Sequence, residues 1–206
     1  HQDREIPLEQ VLSIDFFTVH PQAYWEWFAQ ENAREGVAPN AAHRFVASLE
    51  QAGKLSAVVT QNIDGLHQWA GSKRVLELHG NWSRLTCTGC GEHVTLNDVD
   101  DARSGSVPHC PTCASVLRPD IVFYGEMLDG DVIEGAVRAI TEADLLIVAG
   151  TSLVVHPAAG LIDYYTGERL VLMNATSTPY DSRADLIIRE PVGQVFHELE
   201  RLRPRP

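Results

Sequence analysis

The chain has 206 residues, 44% of them apolar, with 28 acidic against 16 basic side chains and a formal charge of −12. That balance argues against a phosphate-backbone binder, which presents a basic face, and it leaves material for one domain, or one domain with a small inserted module. No run approaches the ~20 apolar residues of a membrane helix, and the polar opening HQDREIPLEQ is no secretory signal, which points to the cytoplasm. The acidic surface suits a lysine-rich partner and serves solubility equally well.

The first element is an aromatic cluster within residues 1–36 (Phe16, Phe17, Tyr24, Trp25, Trp27, Phe28), with apolar spacing suited to short helices. Pro39-Asn40 reads as a helix start with Asn40 as N-cap. Ala42, Phe45, Val46 and Leu49 follow at i, i+3, i+4 and i+7, and Gly53 stands where a C-terminal cap belongs. A β-branched strand at 56–60 comes next. Further buried-strand runs are DIVFYG (120–125), ADLLIVAG (143–150), RLVLMN (169–174) and ADLIIRE (184–190), separated mostly by helical stretches near 129–142, 157–166 and 191–202. Apolar strands alternating with helices predict an α/β fold with a parallel sheet covered on both faces.

All four cysteines lie in CTGC and CPTC, a C-x2-C-x19-C-x2-C pattern formed by Cys87, Cys90, Cys110 and Cys113. Two such knuckles complete a tetrahedral Zn2+ site, and four thiolates leave no open position, so the metal is structural. Two disulfides or a redox pair are the rival readings, and disulfides suit a secreted protein better. His109 beside Cys110 is either a substitute ligand or an ordinary loop histidine.

In open parallel sheets, ligands bind beyond the carboxyl ends of the strands. TQNIDGLHQ (60–68) occupies such an end and packs Gln61, Asn62, Asp64 and His67 into nine positions. It is either a polar turn capping the next helix or the floor of a reaction site. AGTSLVV (149–155) lies at another strand end, where Gly150, Thr151 and Ser152 expose backbone N–H groups and a helix beginning near Pro157 favours phosphate. Asn174 sits at a third. Three such loops on successive strands favour a nucleotide. In ELHGN (77–81), His79 precedes Gly80 just before the cysteine segment and is the candidate general base. His67 and His43 read as structural.

In this order, TQNIDGLHQWAG, ELHGN, CTGC, CPTC, LRPDIVFYGE, GTSLVVHPAAGL and LMNAT resemble the sirtuins, NAD-dependent protein deacylases. PNAAH (39–43) and SIDFFTVHPQAYW (13–25) are similar to the bacterial members, and the likeness spans residues 13 to about 199. It implies a Rossmann-like domain over 39–84 and 119–206, a helical module over 1–38 and a zinc module over 85–118. By that resemblance His79 deprotonates a ribose hydroxyl of NAD, and Asn62 orders water and ribose near the reacting carbon. Ile63 and Asp64 line the nicotinamide pocket, and Gln61 contacts a ribose. Gly150, Thr151, Ser152 and Asn174 fall on the adenosine side, with Val192 a candidate for the adenine. Val122, Phe123, Tyr124, Gly125 and Glu126 form the strand that pairs with the acyl-lysine peptide.

The implied reaction releases nicotinamide and moves the acyl group from lysine to ADP-ribose. Mono-ADP-ribosyl transfer and a silent zinc-stabilised binding module are the alternatives. The sirtuin pattern also opens with a Gly-Ala-Gly-x-Ser strand-and-loop and a Gly-Ile-Pro-x-Phe-Arg segment, neither of which occurs in these 206 residues. A fragment of a longer product is the expectation, beside a non-catalytic variant or completion of the sheet by another chain. The absent strand would be central, so its neighbours are expected to carry apolar edges. Succinyl-removing relatives carry a Tyr-x-x-Arg pair before PNAAH. Here Tyr24 has Phe28 near the arginine's place, and Arg34 is off that spacing, so an uncharged acyl group, acetyl first, is expected.

Overall fold

The computed structural model describes residues 6–32 and 37–202. Arg34, weighed above for acyl preference, lies outside them, as do the ends of the expected 1–38 module. The chain divides into two compact units, one of residues 1–37, 62–65 and 79–128, the other of residues 38–61, 66–78 and 129–206.

Unit one begins with three helices, α1 (Leu8–Val11), α2 (Ile14–Val19) and α3 (Pro21–Asn32). Ser13 caps α2 by accepting the Phe16 N–H at 3.2 Å. Strands β3 (Gly80–Cys87), β4 (His93–Thr95) and β5 (Leu117–Ile121) form an antiparallel sheet in the order β4-β3-β5, and α6 (Asp100–Ser104) joins β4 to β5. The predicted aromatic cluster is the core here: Phe16, Phe17, Tyr24, Trp25, Phe28 and Phe123 are buried with Leu85, Leu117 and Ile121. Tyr24 is its hub, with Phe17 at 5.1 Å edge-on and Phe123 at 5.5 Å between ring centroids.

The Tyr24 hydroxyl is fully buried with no hydrogen-bond partner among the described residues, and burial raises its pKa far above the phenol value. Tyr24→Phe should therefore stabilise the protein by about 1 kcal/mol. Thermal denaturation checks this, and a lowered midpoint would mean the hydroxyl is satisfied.

Unit two contains α4 (Ala41–Gln51), α5 (Leu66–Trp69), α7 (Gly130–Thr141) and α8 (Val192–Leu202). Asn40 caps α4 as predicted: its side chain accepts the Ala42 and His43 N–H groups at 2.9 and 3.2 Å, and His43 Nδ1 accepts the Asn40 N–H at 3.2 Å. Gly53 follows at φ +68°. Among the described residues the parallel strands come in two pieces, β1 (Val58–Thr60) with β2 (Val75–Glu77), and β6 (Leu146–Ala149), β7 (Leu170–Met173) and β8 (Leu186–Ile188) in that order. Val59 and Leu76 of one piece and Leu146 and Val148 of the other pack on a single core built with Ala136 and Ile140 of α7. At the β6 edge Leu145 and Ile147 remain exposed.

Three expectations change. The 120–125 run is not a parallel strand. Its strand is Leu117–Ile121, antiparallel to β3 on a sheet edge, where Pro119 loses no ladder bond for want of an N–H. The helix expected at 157–166 is a 3₁₀ helix, Ala158–Tyr164, and so presents little aligned dipole. The module boundaries expected at 84/85 and 118/119 both fall inside the β3–β5 ladder, so 79–84 and 119–128 sit with the cysteine segment and the aromatic helices.

Candidate functional site

Four cysteine Sγ atoms lie within 4.8 Å of one another, with Cys87–Cys113 at 3.4 Å and Cys90–Cys110 at 3.7 Å. Tetrahedral thiolates at ~2.3 Å from zinc stand roughly 3.8 Å apart, so the cluster fits the ion. These separations are well beyond a disulfide bond of ~2.05 Å. Backbone N–H groups of Gly89 and Cys90 point at Cys87 Sγ (3.3 and 3.4 Å), and Thr112 N–H points at Cys110 Sγ (3.4 Å). Donors arranged this way stabilise thiolates. The Ser115 hydroxyl and N–H bring the Cys113 thiol down to about 6. His109 is exposed and bridges Val116 through its backbone, outside the sulfur cluster.

Strand β3 links this cluster to the polar residues. Cys87 ends it, opposite Leu117, and Gly80 begins it, opposite Ile121. Eight residues at ~3.3 Å each put His79 about 25 Å along the strand from the sulfurs, too far for the metal to act on a group at His79. At the Gly80 end three segments meet. His79 C=O accepts the Val122 N–H at 3.0 Å, and Ile63 C=O accepts the Trp82 N–H at 3.1 Å. Ile63 packs against the aromatic core, which seats the Asn62–Gly65 loop over the start of β3. Gly80 is obligatory: a Cβ there would lie 2.0 Å from Asp120 C=O, at a φ of +77°. Asn62 is exposed, Asp64 and His79 half-buried. The structure thus brings Asn62, Ile63, Asp64 and His79 together with Val122–Glu126 in one unit.

Gln61, Gly150, Thr151, Ser152, Asn174 and Val192 belong to unit two. Gly150 N–H donates to Met173 C=O at 2.9 Å, prolonging the β6–β7 ladder, and Asn174 N–H donates to Ile188 C=O at 3.0 Å. An ideal Cβ on Gly150 would be 4.0 Å from Val192 Cγ2. The ends of β6, β7 and β8 and the start of α8 therefore share one place, as ligand binding at strand ends requires. Thr151 Oγ1 accepts the Leu153 N–H at 3.2 Å, Asn174 Nδ2 donates to Thr176 C=O at 2.9 Å, and Ser152 is exposed. The His43 and His67 rings meet at 4.7 Å between centroids, tilted by 57°.

The family model described as Sir2 family matches residues 2–157. The chain belongs to the Sir2 family. An NAD-dependent protein deacetylase of Clostridium acetobutylicum is 48% identical over 190 residues, covering 92% of this chain and 77% of that one. One from Cutibacterium acnes is 42% identical over 199 residues, covering 97% and 80%. Among solved structures, a Sir2 bound to acetylated peptide matches at TM-score 0.85 and 41% identity over 94% of this chain and 83% of that one. Another, holding a peptide and NAD+, matches at TM-score 0.83 and 40% identity, covering 97% and 85%.

In this Sir2 chain, sequence reasoning missed two residues beside the site. Asn81, buried, accepts the Ser83 N–H and hydroxyl at 2.9 and 2.7 Å and lies under Gly65. Arg118 grips Glu126 with two bonds of 2.8 Å. Its signal was a lone cation inside an apolar strand run. No described helix is long and apolar enough to cross a membrane.

Proposed function

We propose that the chain is an NAD-dependent protein lysine deacylase that releases nicotinamide and passes the acyl group to ADP-ribose. The observation that carries this reading is the meeting of the Asn62–Gly65 loop, His79 and the 122–126 segment at one end of β3. NAD, consumed as co-substrate, supplies the anomeric carbon that the acyl oxygen attacks as nicotinamide leaves. Its nicotinamide half is assigned to Ile63, Asp64 and Asn62. Asp64 bonds the carboxamide, and Asn62 orders water and ribose by the reacting carbon. His79 takes the proton from a ribose hydroxyl, a step for which imidazole is the usual base. Gln61 contacts a ribose; Gly150, Thr151, Ser152, Asn174 and Val192 are assigned to the adenosine half.

The substrate is an acyl-lysine peptide lying along Val122–Glu126. Its acyl group is read as uncharged, because relatives are bound to acetylated and propionylated peptides. Cys87, Cys90, Cys110 and Cys113 hold one structural Zn2+. Four free thiols gathered for a metal suit a reducing compartment, which supports the cytoplasm.

Incubation with NAD and an acetyl-lysine peptide tests the assignment. Deacylated peptide and nicotinamide should appear in equal amounts. A covalently modified acceptor protein with the acetyl group intact would indicate ADP-ribosyl transfer instead.

A further inference from the structure

Most of the backbone in the peptide-facing segment is already engaged. Tyr124 donates its N–H to Leu12 C=O (2.8 Å) and accepts the Ile14 N–H (3.1 Å), and Phe123 C=O accepts the Glu126 N–H (3.0 Å). This last bond closes a four-residue turn. Gly125 fills its third position at φ +96°, the left-handed conformation that favours glycine there. Gly125 is exposed, and its N–H and C=O have no hydrogen-bond partner among the described residues. It is therefore the residue of the turn that can still pair with a second backbone.

A side-chain clamp holds the turn closed. Glu126 Oε2 accepts the Phe123 N–H at 2.9 Å, so the turn is bonded from both sides. Arg118, rooted in β5 opposite Thr86, donates from Nη1 and Nη2 to the two Glu126 oxygens, both at 2.8 Å. Its Nη2 also donates to Ile121 C=O at 3.1 Å, and its guanidinium carbon lies 5.1 Å from the Phe123 ring centroid. Both side chains are only about a quarter exposed, 26% and 25%, so water screens this fork less than it would a surface pair. Three donors engage the Glu126 carboxylate inside the protein, one at Oε1 and two at Oε2.

We infer that Arg118 and Glu126 are a positioning pair, whose bidentate ion pair fixes the Phe123–Glu126 turn so that Gly125 presents its N–H and C=O as a rung to the acyl-lysine peptide backbone. This rests on the reading above that segment 122–126 meets the peptide, and it moves Glu126 from substrate contact to support. A rung made of backbone groups reads peptide geometry and leaves the neighbouring substrate side chains unread.

The test uses Arg118→Lys, which keeps the charge and loses the fork, and Glu126→Gln, which keeps an acceptor for Phe123 N–H and loses the ion pair. Zinc content and thermal midpoint control for folding. Each variant should raise the peptide KM about tenfold, with kcat and the NAD KM unchanged, since a charge-assisted bond contributes on that scale. The double variant should be no worse than the poorer single, because the two side chains act as one unit. A peptide KM unchanged in folded variants, or an equal loss in all three constants, would overturn the inference.

Should a variant misfold, the Gly125 amide resonance of the unaltered chain decides during titration with acetyl-lysine peptide. A shift supports the rung, and an unmoved Gly125 in a chain that turns over peptide removes it. Peptide turnover with no effect of the clamp leaves the deacylase reading intact. Absence of both peptide binding and nicotinamide release in the unaltered chain removes both.

Discussion

His79→Ala should lower deacylation by about 10²- to 10⁴-fold, the usual contribution of a positioned general base. The loss should fall on kcat, with the peptide and NAD KM values little changed, because the imidazole acts on the proton and not on ground-state binding. The fold should survive. The backbone carbonyl of residue 79, bonded to Val122 N–H, is retained by alanine. Zinc should also stay bound, since the sulfurs sit at the far end of β3. Turnover and metal content measured on the same preparation check both halves. Undiminished turnover would remove the base.

The second large effect is expected at the metal. Cys110→Ser should release zinc and unfold the β3–β5 end of unit one, because structural zinc contributes roughly 10–16 kcal/mol in small zinc-binding peptides, comparable with the whole stability of a domain. Metal analysis and hydrogen exchange at Leu85 and Leu117 would show it. Acid should act likewise. Protons compete with Zn2+ for the four thiolates, so acidification should release zinc and neutralisation restore it. Zinc retained in strong acid would contradict the ligand set.

The parts read correctly from sequence were those with short-range signatures. Asn40 and the apolar spacing after it locate α4, and the two Cys-x-x-Cys knuckles locate the metal site. Direction and partnership were harder. An apolar run such as DIVFYG carries no mark of its neighbour's direction. The TQNID loop reads as one polar stretch, yet the chain passes between units after Gln61, leaving Asn62–Gly65 with His79. The Arg118–Glu126 fork spans eight residues with no helical or strand period behind it, so only the fold brings it together. The residues expected near His79 could be singled out because each lies just beyond a strand. The Arg118–Glu126 pair beneath them carried no such mark.

Mass spectrometry of one reaction containing the chain, NAD and an acetyl-lysine peptide tests the central claim most directly. The account predicts one nicotinamide and one acylated ADP-ribose for every lysine freed, with all three lost together in the His79 variant. Free acetate formed without NAD, or lysine released at the same rate by the His79 variant, would contradict it.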